Sequence, residues 1–92
     1  MKKVLCAMWD SKMKSFGKAI EFPNAEVAKR SFAMLVNDPN GEVILAPEDY
    51  TLMEIGEYDP EKGTLTNLEP NKTIATALEL VETIEVPEQK GE

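Results

Sequence analysis

The sequence predicts a small α+β domain: a mainly antiparallel sheet of three or four strands, one amphipathic helix packed on it, and a short helix near the C-terminus. Three observations predict this. Residues 4–9, Val-Leu-Cys-Ala-Met-Trp, are apolar at every position, which marks a strand covered on both faces, interior to a sheet or at an interface. Residues 24–37 place Ala25, Ala28, Phe32, Leu35 and Val36 at helical spacing. Asp59-Pro60-Glu61-Lys62-Gly63 then joins two strand-like runs through residues suited to a hairpin turn.

Each element follows from local chemistry. After the first strand, Asp10 to Gly17 breaks the apolar pattern with small and charged residues and reads as a loop. Lys18 to Phe22 reads as a short second strand closed by Pro23. In the helix, Asn24 can accept from the free N–H groups of the first turn, and Glu26 is favoured by the positive end of the dipole. Glu26 and Arg30 form an i,i+4 pair. Pro39 disfavours helical geometry at Asp38, so the helix stops there, and Asn40-Gly41 supplies a turn. Glu42 to Asp49 is a connector containing the apolar Val43-Ile44-Leu45. Thr51 to Tyr58 reads as a strand, and Gly56 within it leaves room for another backbone or a ring. Pro60 presets φ for the hairpin turn, and Gly63 can take φ > 0 to rejoin the return strand, Thr64 to Leu68, which Pro70 ends. Ile74, Ala77, Leu78 and Val81 fall at helical spacing and predict a second helix over 72–82, with a strand from Leu78 to Ile84 as the alternative. Residues 1–84 thus form one domain, and 85–92 a flexible acidic tail.

Composition limits function. One cysteine, Cys6, cannot make an internal disulfide, which fits a reducing compartment. No apolar run approaches a membrane span. The net charge is −7, unevenly spread: residues 1–30 carry seven basic groups and three acids, and residues 31–92 three basic groups and fourteen acids. Such a chain repels polyphosphate unless its positive charge gathers on one face.

The chain has no histidine, which removes the commonest general base and most zinc sites. Cys6 sits in the apolar strand without a basic neighbour, a setting for inert packing. Glu54 and Glu57 have opposite parity and are expected on opposite strand faces, so they do not form a carboxylate pair. Asp38-Pro39-Asn40-Gly41 lacks the ligand ladder of a calcium loop. No catalytic group, metal or cofactor is expected. The constellation with binding character is Trp9, Lys12, Lys14, Phe16 and Lys18, joined by Lys29 and Arg30 on the helix. Basic groups interleaved with aromatics suit single-stranded nucleic acid, the ammonium groups meeting phosphates and the rings stacking on bases. The competing reading buries the rings and leaves the lysines to solubilise a loop.

The pattern resembles the small nonstructural protein of gokushoviruses, tailless phages with circular single-stranded DNA genomes. Trp9-Asp10-Ser11-Lys12 looks like that family's aromatic-Asp-x-Lys opening, with Phe16 as its following aromatic. Ala28-Lys29-Arg30-Ser31-Phe32 resembles its helix, and Val36-Asn37-Asp38 the segment that ends it. Pro47-Glu48-Asp49-Tyr50 with Leu52, then Ile55-Gly56-Glu57-Tyr58-Asp59 and Gly63, resemble its hairpin. Two features depart from the family: Trp9 stands where Tyr is frequent, and Phe22-Pro23 inverts a Pro-Phe-Phe-like run. The resemblance implies a protein of the host cell cytoplasm, absent from the mature virion, that assists replication or packaging of single-stranded DNA. It brings no catalytic residues. Two functions follow as expectations. One is a noncatalytic accessory factor that touches single-stranded DNA through the basic face. The other is a homodimeric interaction module acting on the replication initiator, a host factor or the procapsid without touching DNA.

Overall fold

The computed structural model describes residues 1–82; the tail expected over 85–92 and the end of the alternative strand at Ile84 lie outside them. The described chain folds as β1 (Lys3–Asp10), β2 (Ser15–Phe16), β3 (Ile20–Phe22), α1 (Ala25–Val36), two 3-10 turns (Val43–Leu45 and Pro47–Asp49), β4 (Tyr50–Asp59), β5 (Thr64–Thr76) and α2 (Ala77–Leu80). The expected α+β class holds, with five strands in one antiparallel sheet. β1 is central: β2 and β3 pair along one of its edges, β4 along the other, and β5 lies outside β4.

α1 begins and ends as its sequence requires. The Asn24 side chain accepts from Val27 N at 2.9 Å, satisfying a first-turn donor. At the other end Asn37 stops the helix and tethers it: its Nδ2 donates to Ala33 O at 2.8 Å and Leu80 O at 2.9 Å, and its Oδ1 accepts from Glu82 N at 2.8 Å. Ala28, Phe32 and Val36, a strict i,i+4 row, are buried. They meet Cys6, Leu52, Val43, Ala75 and Ala77 in one core. Burying a side chain the size of Phe32 or Val36 contributes roughly 1.5–3 kcal/mol. The apolar stripe is narrower than its spacing suggests. Ala25 and Leu35 flank the buried row and are exposed, because the sheet meets α1 along a single line.

The C-terminal part departs most from expectation. β5 does not end before Pro70 but runs to Thr76, and residues 72–76 are strand, not helix. Only one helical turn, Ala77–Leu80, remains of the helix expected over 72–82. Two causes are visible. Thr73 and Thr76 favour the pleated strand, and β4 extends far enough to pair with Thr73, Ala75 and Thr76. Pro70 is tolerated because it lies in a bulge: Glu54 pairs with Lys72 and Gly56 with Asn67, so Leu68–Asn71 stand opposite Ile55 alone. The loop expected over 10–17 also contains β2, whose Phe16 pairs with Trp9.

The hairpin is as expected. Gly63 adopts φ +67, and its N–H donates to Asp59 O at 2.7 Å. The backbone predicted to cover Gly56 is that of β5: a Cβ at Gly56 would lie 2.8 Å from Thr66 O. The β4–β5 ribbon lengthens the molecule to 55 × 29 × 20 Å, with a radius of gyration of 15.0 Å, against about 12 Å for a compact chain of this size.

Candidate nucleic-acid interface

α1 covers one face of the sheet, and strand parity decides what the other face presents. Val4, Cys6 and Met8 point into the core beneath the helix, so Lys3, Leu5, Ala7 and Trp9 point to the opposite, helix-free face. Their β4 partners are Tyr58 for Lys3, Gly56 for Leu5, Met53 for Ala7 and Thr51 for Trp9. Leu5 and Trp9 are half-exposed there, whereas Ala7 is buried. The expectation that β1 is covered on both sides therefore holds for Ala7 and fails for its larger neighbours.

β1 and β4 turn their acidic residues away from this face. The register between β1 and β4 shifts by one residue at Ile55, so Glu54 pairs with Cys6 and Glu57 with Val4. Both carboxylates thus lie on the helix-bearing side. The expectation that their opposite parity would separate them is overturned, because the extra residue restores the phase. Asp10 shares the parity of Met8 and lies on that side as well. Across β1 and β4, the open face carries one lysine and no carboxylate. Glu21, opposite Leu5 on β3, is the acidic residue at its β3 rim.

The two aromatics lie together on this face. The rings of Trp9 and Phe16 have centroids 4.9 Å apart and planes inclined at 55°, within the range of a favourable tilted pair. Phe16 remains 42% exposed. Beside them runs a trough of about 340 Å³ lined by Ala7, Phe16, Ile55, Asn67, Leu68, Glu69 and Asn71. β1 and β4 provide its floor, β2 one wall and the β5 bulge the other.

The basic candidates do not join them in one patch. Lys12 Nζ lies 3.6 Å from Asp49 Oδ2. This pair stands beside Tyr50, whose phenol is pushed above its ordinary pKa by burial and by the carboxylates of Asp10, Glu42 and Asp49, with Lys12 opposing. Lys14 is exposed at the turn before β2 and adopts φ 54. Lys18 lines an apolar groove between α1 and β3. Lys29 shares a recess on the helix side with Glu26, Glu54 and Lys72, and Arg30 is exposed on α1. Of the seven candidates, the structure brings Trp9 and Phe16 into contact and leaves Lys14 in the turn that connects their strands. Lys3 was missed by sequence reasoning, although it shares Trp9's parity. The Asn67, Glu69 and Asn71 wall was invisible, because it exists only through the bulge.

Cys6 is buried, and its thiol is pushed up to about 11 by burial and the nearby Glu54 carboxylate. That suits packing and not nucleophilic chemistry. Among the described residues no three Cys, Asp or Glu side chains converge as metal ligands, and no helix is long and apolar enough to cross a membrane.

The family model for the phage ORF5 protein matches residues 3–80, nearly all of the described fold. The chain belongs to the phage ORF5 protein family. Within this family it is similar to protein ORF5 of Chlamydia phage 1, with 38% identity over 61 residues, covering 62% of this chain and 64% of the relative's length. Chlamydia phage 1 is a gokushovirus, in agreement with the resemblance carried by the Trp9, Val36-Asn37-Asp38 and Ile55-Gly56-Glu57 segments. No solved structure matches the chain.

Proposed function

We propose that this phage ORF5 protein is a noncatalytic accessory factor of single-stranded DNA replication or packaging that engages the strand on the helix-free face of its sheet. The supporting observation is the sorting of charge: in a chain of net charge −7, β1 and β4 turn their carboxylates to the helix side and present Lys3, Trp9, Met53, Ile55 and Tyr58 on the other. Bases stack on such a surface whatever their sequence. With Lys12 paired with Asp49 and Lys18, Lys29 and Arg30 elsewhere, Lys3 and Lys14 remain for phosphates. Binding is therefore carried more by rings than by ammonium groups.

That proposal sets the salt dependence. One or two phosphate contacts give a slope of log K against log salt of about −0.7 to −1.4. Trp9 is the chain's single tryptophan, so quenching of its emission on titration with an oligothymidylate reports stacking directly. Duplex DNA, whose bases are already stacked, should quench little. No quenching and no gel shift even at low salt would discard DNA contact.

The second function, a homodimeric or partner-docking module, draws on a different observation. Ile20 (48% exposed) and Leu35 (43% exposed) line the groove between β3 and α1, an apolar surface of the kind that partners cover. Sedimentation showing a concentration-dependent dimer that survives Trp9→Ala but not Leu35→Lys would favour it over DNA contact. A monomer at every concentration would remove the dimer.

A further inference from the structure

The trough beside Phe16 has two chemically different sides, which a sequence-tolerant stacking surface does not need. Its floor, Ala7 and Ile55, is apolar, and Phe16 adds an aromatic wall. The facing wall carries Glu69 and Asn71, from the four residues Leu68–Asn71 that β5 spends opposite Ile55, and Asn67, which precedes them and pairs with Gly56. A planar ligand with one polar edge fits both sides. Lying flat on the floor, it sets one face on Ala7 and Ile55, one edge against Phe16, and its polar edge against two carboxamides and a carboxylate. The cavity, about 340 Å³, is at the small end of ligand sites.

We propose that this trough takes one guanine base of a single strand, and this rests on the DNA-binding function proposed above. Glu69 sets the choice. An ionised carboxylate only accepts hydrogen bonds. Guanine offers adjacent donors, N1–H and the N2 amino group, which a carboxylate can accept together, and the neighbouring O6 can accept from an Asn67 or Asn71 amide. Thymine places its one donor, N3–H, between two carbonyl oxygens, which a carboxylate repels. Cytosine and adenine each offer one donor beside a ring acceptor and fall between. Bases unstacked from a single strand are read in this way on their Watson–Crick edges.

The test uses the whole chain and eight-nucleotide oligothymidylates in which one central position is dG, dA, dC or dT, titrated at low salt while Trp9 emission is followed. The dG oligonucleotide should bind about tenfold more tightly than all-dT, the discrimination of one good bidentate base contact. Glu69→Gln, at an exposed position, should remove most of that preference while all-dT binding holds or strengthens. Equal binding of the four oligonucleotides, or a preference unchanged in Glu69→Gln, overturns the guanine site and leaves stacking on the open face standing. Failure of every oligonucleotide to bind overturns both. Free dGMP binding as tightly as the dG oligonucleotide would assign the trough to a nucleotide and overturn its assignment to a strand.

Discussion

Gly56→Ala is the substitution for which local propensity and the tertiary structure disagree in sign. Glycine in a strand interior costs roughly 0.5–1 kcal/mol relative to alanine, so propensity alone expects Gly56→Ala to stabilise. The structure expects the reverse. The new Cβ would sit 2.8 Å from Thr66 O, about 0.6 Å inside the 3.4 Å at which ordinary contact begins, and the obstructing atom is backbone. Relief requires β4 and β5 to part where Gly56 pairs with Asn67. Overpacking of this kind costs about 1–3 kcal/mol. Subtracting the propensity gain from the middle of that range leaves a net loss of about 1.25 kcal/mol, or roughly 5–10 °C in Tm for a domain of this size. Urea denaturation followed by Trp9 emission and by circular dichroism measures it. Gly63→Ala provides the contrast, since nothing lies within 4 Å of its Cβ and its cost arises from φ +67 alone. A Gly56→Ala variant as stable as the parent, or more so, would refute the assigned closeness of β5.

Three further outcomes are expected. Asn37→Ala removes side-chain bonds to Ala33 O, Leu80 O and Glu82 N and should cost about 2–3 kcal/mol at roughly 1 kcal/mol each, with amide exchange accelerated at α2 before the sheet. Phe32→Ala should cost about 3–5 kcal/mol, since the ring is 4% exposed in the core; a loss under 1 kcal/mol in thermal unfolding would mean that α1 is not seated as described. The Cys6 thiol has its pKa raised from 9.0 to about 11 in the folded chain. The folded state therefore keeps a proton that the unfolded state releases, so this stabilisation is complete below pH 9 and is lost as pH rises towards 11. Stability in that window should fall less steeply in Cys6→Ala, and thiol reagents should react slowly at pH 8 until the chain unfolds.

What could be read from the residues divides along physical lines. Asn24, Pro39, Pro60 and Gly63 act on the backbone next to them, so α1 and the hairpin turn were legible to within a residue or two, and the far end of β5 was not. Ile74, Ala77, Leu78 and Val81 carry helical spacing, yet β5 takes the segment as far as Thr76 and leaves only the turn Ala77–Leu80 helical, because β4 offers a ladder that no local pattern reveals. Glu54 and Glu57 illustrate the same limit at the candidate site. Their faces depend on an extra residue at Ile55, and a bulge is a property of two strands together. Trp9 and Phe16 were legible as members of one constellation, whereas their contact was not, since it depends on β2 forming within the expected loop and pairing with β1. The dispersal of Lys12, Lys18 and Lys29 was not, since each is placed by a partner distant in sequence: Asp49, the α1 groove, and the recess beside Lys72.

The β4–β5 ribbon also gives an experimental handle. Its end, Pro60 to Lys62, is exposed and far from the core residues beneath α1. Its closure rests on the Gly63 and Asp59 backbone pair. A short peptide epitope spliced between Glu61 and Lys62 should leave folding intact, as loop tips of this kind accept added sequence. Infected cells could then be probed with the label held away from both the open sheet face and the α1 groove.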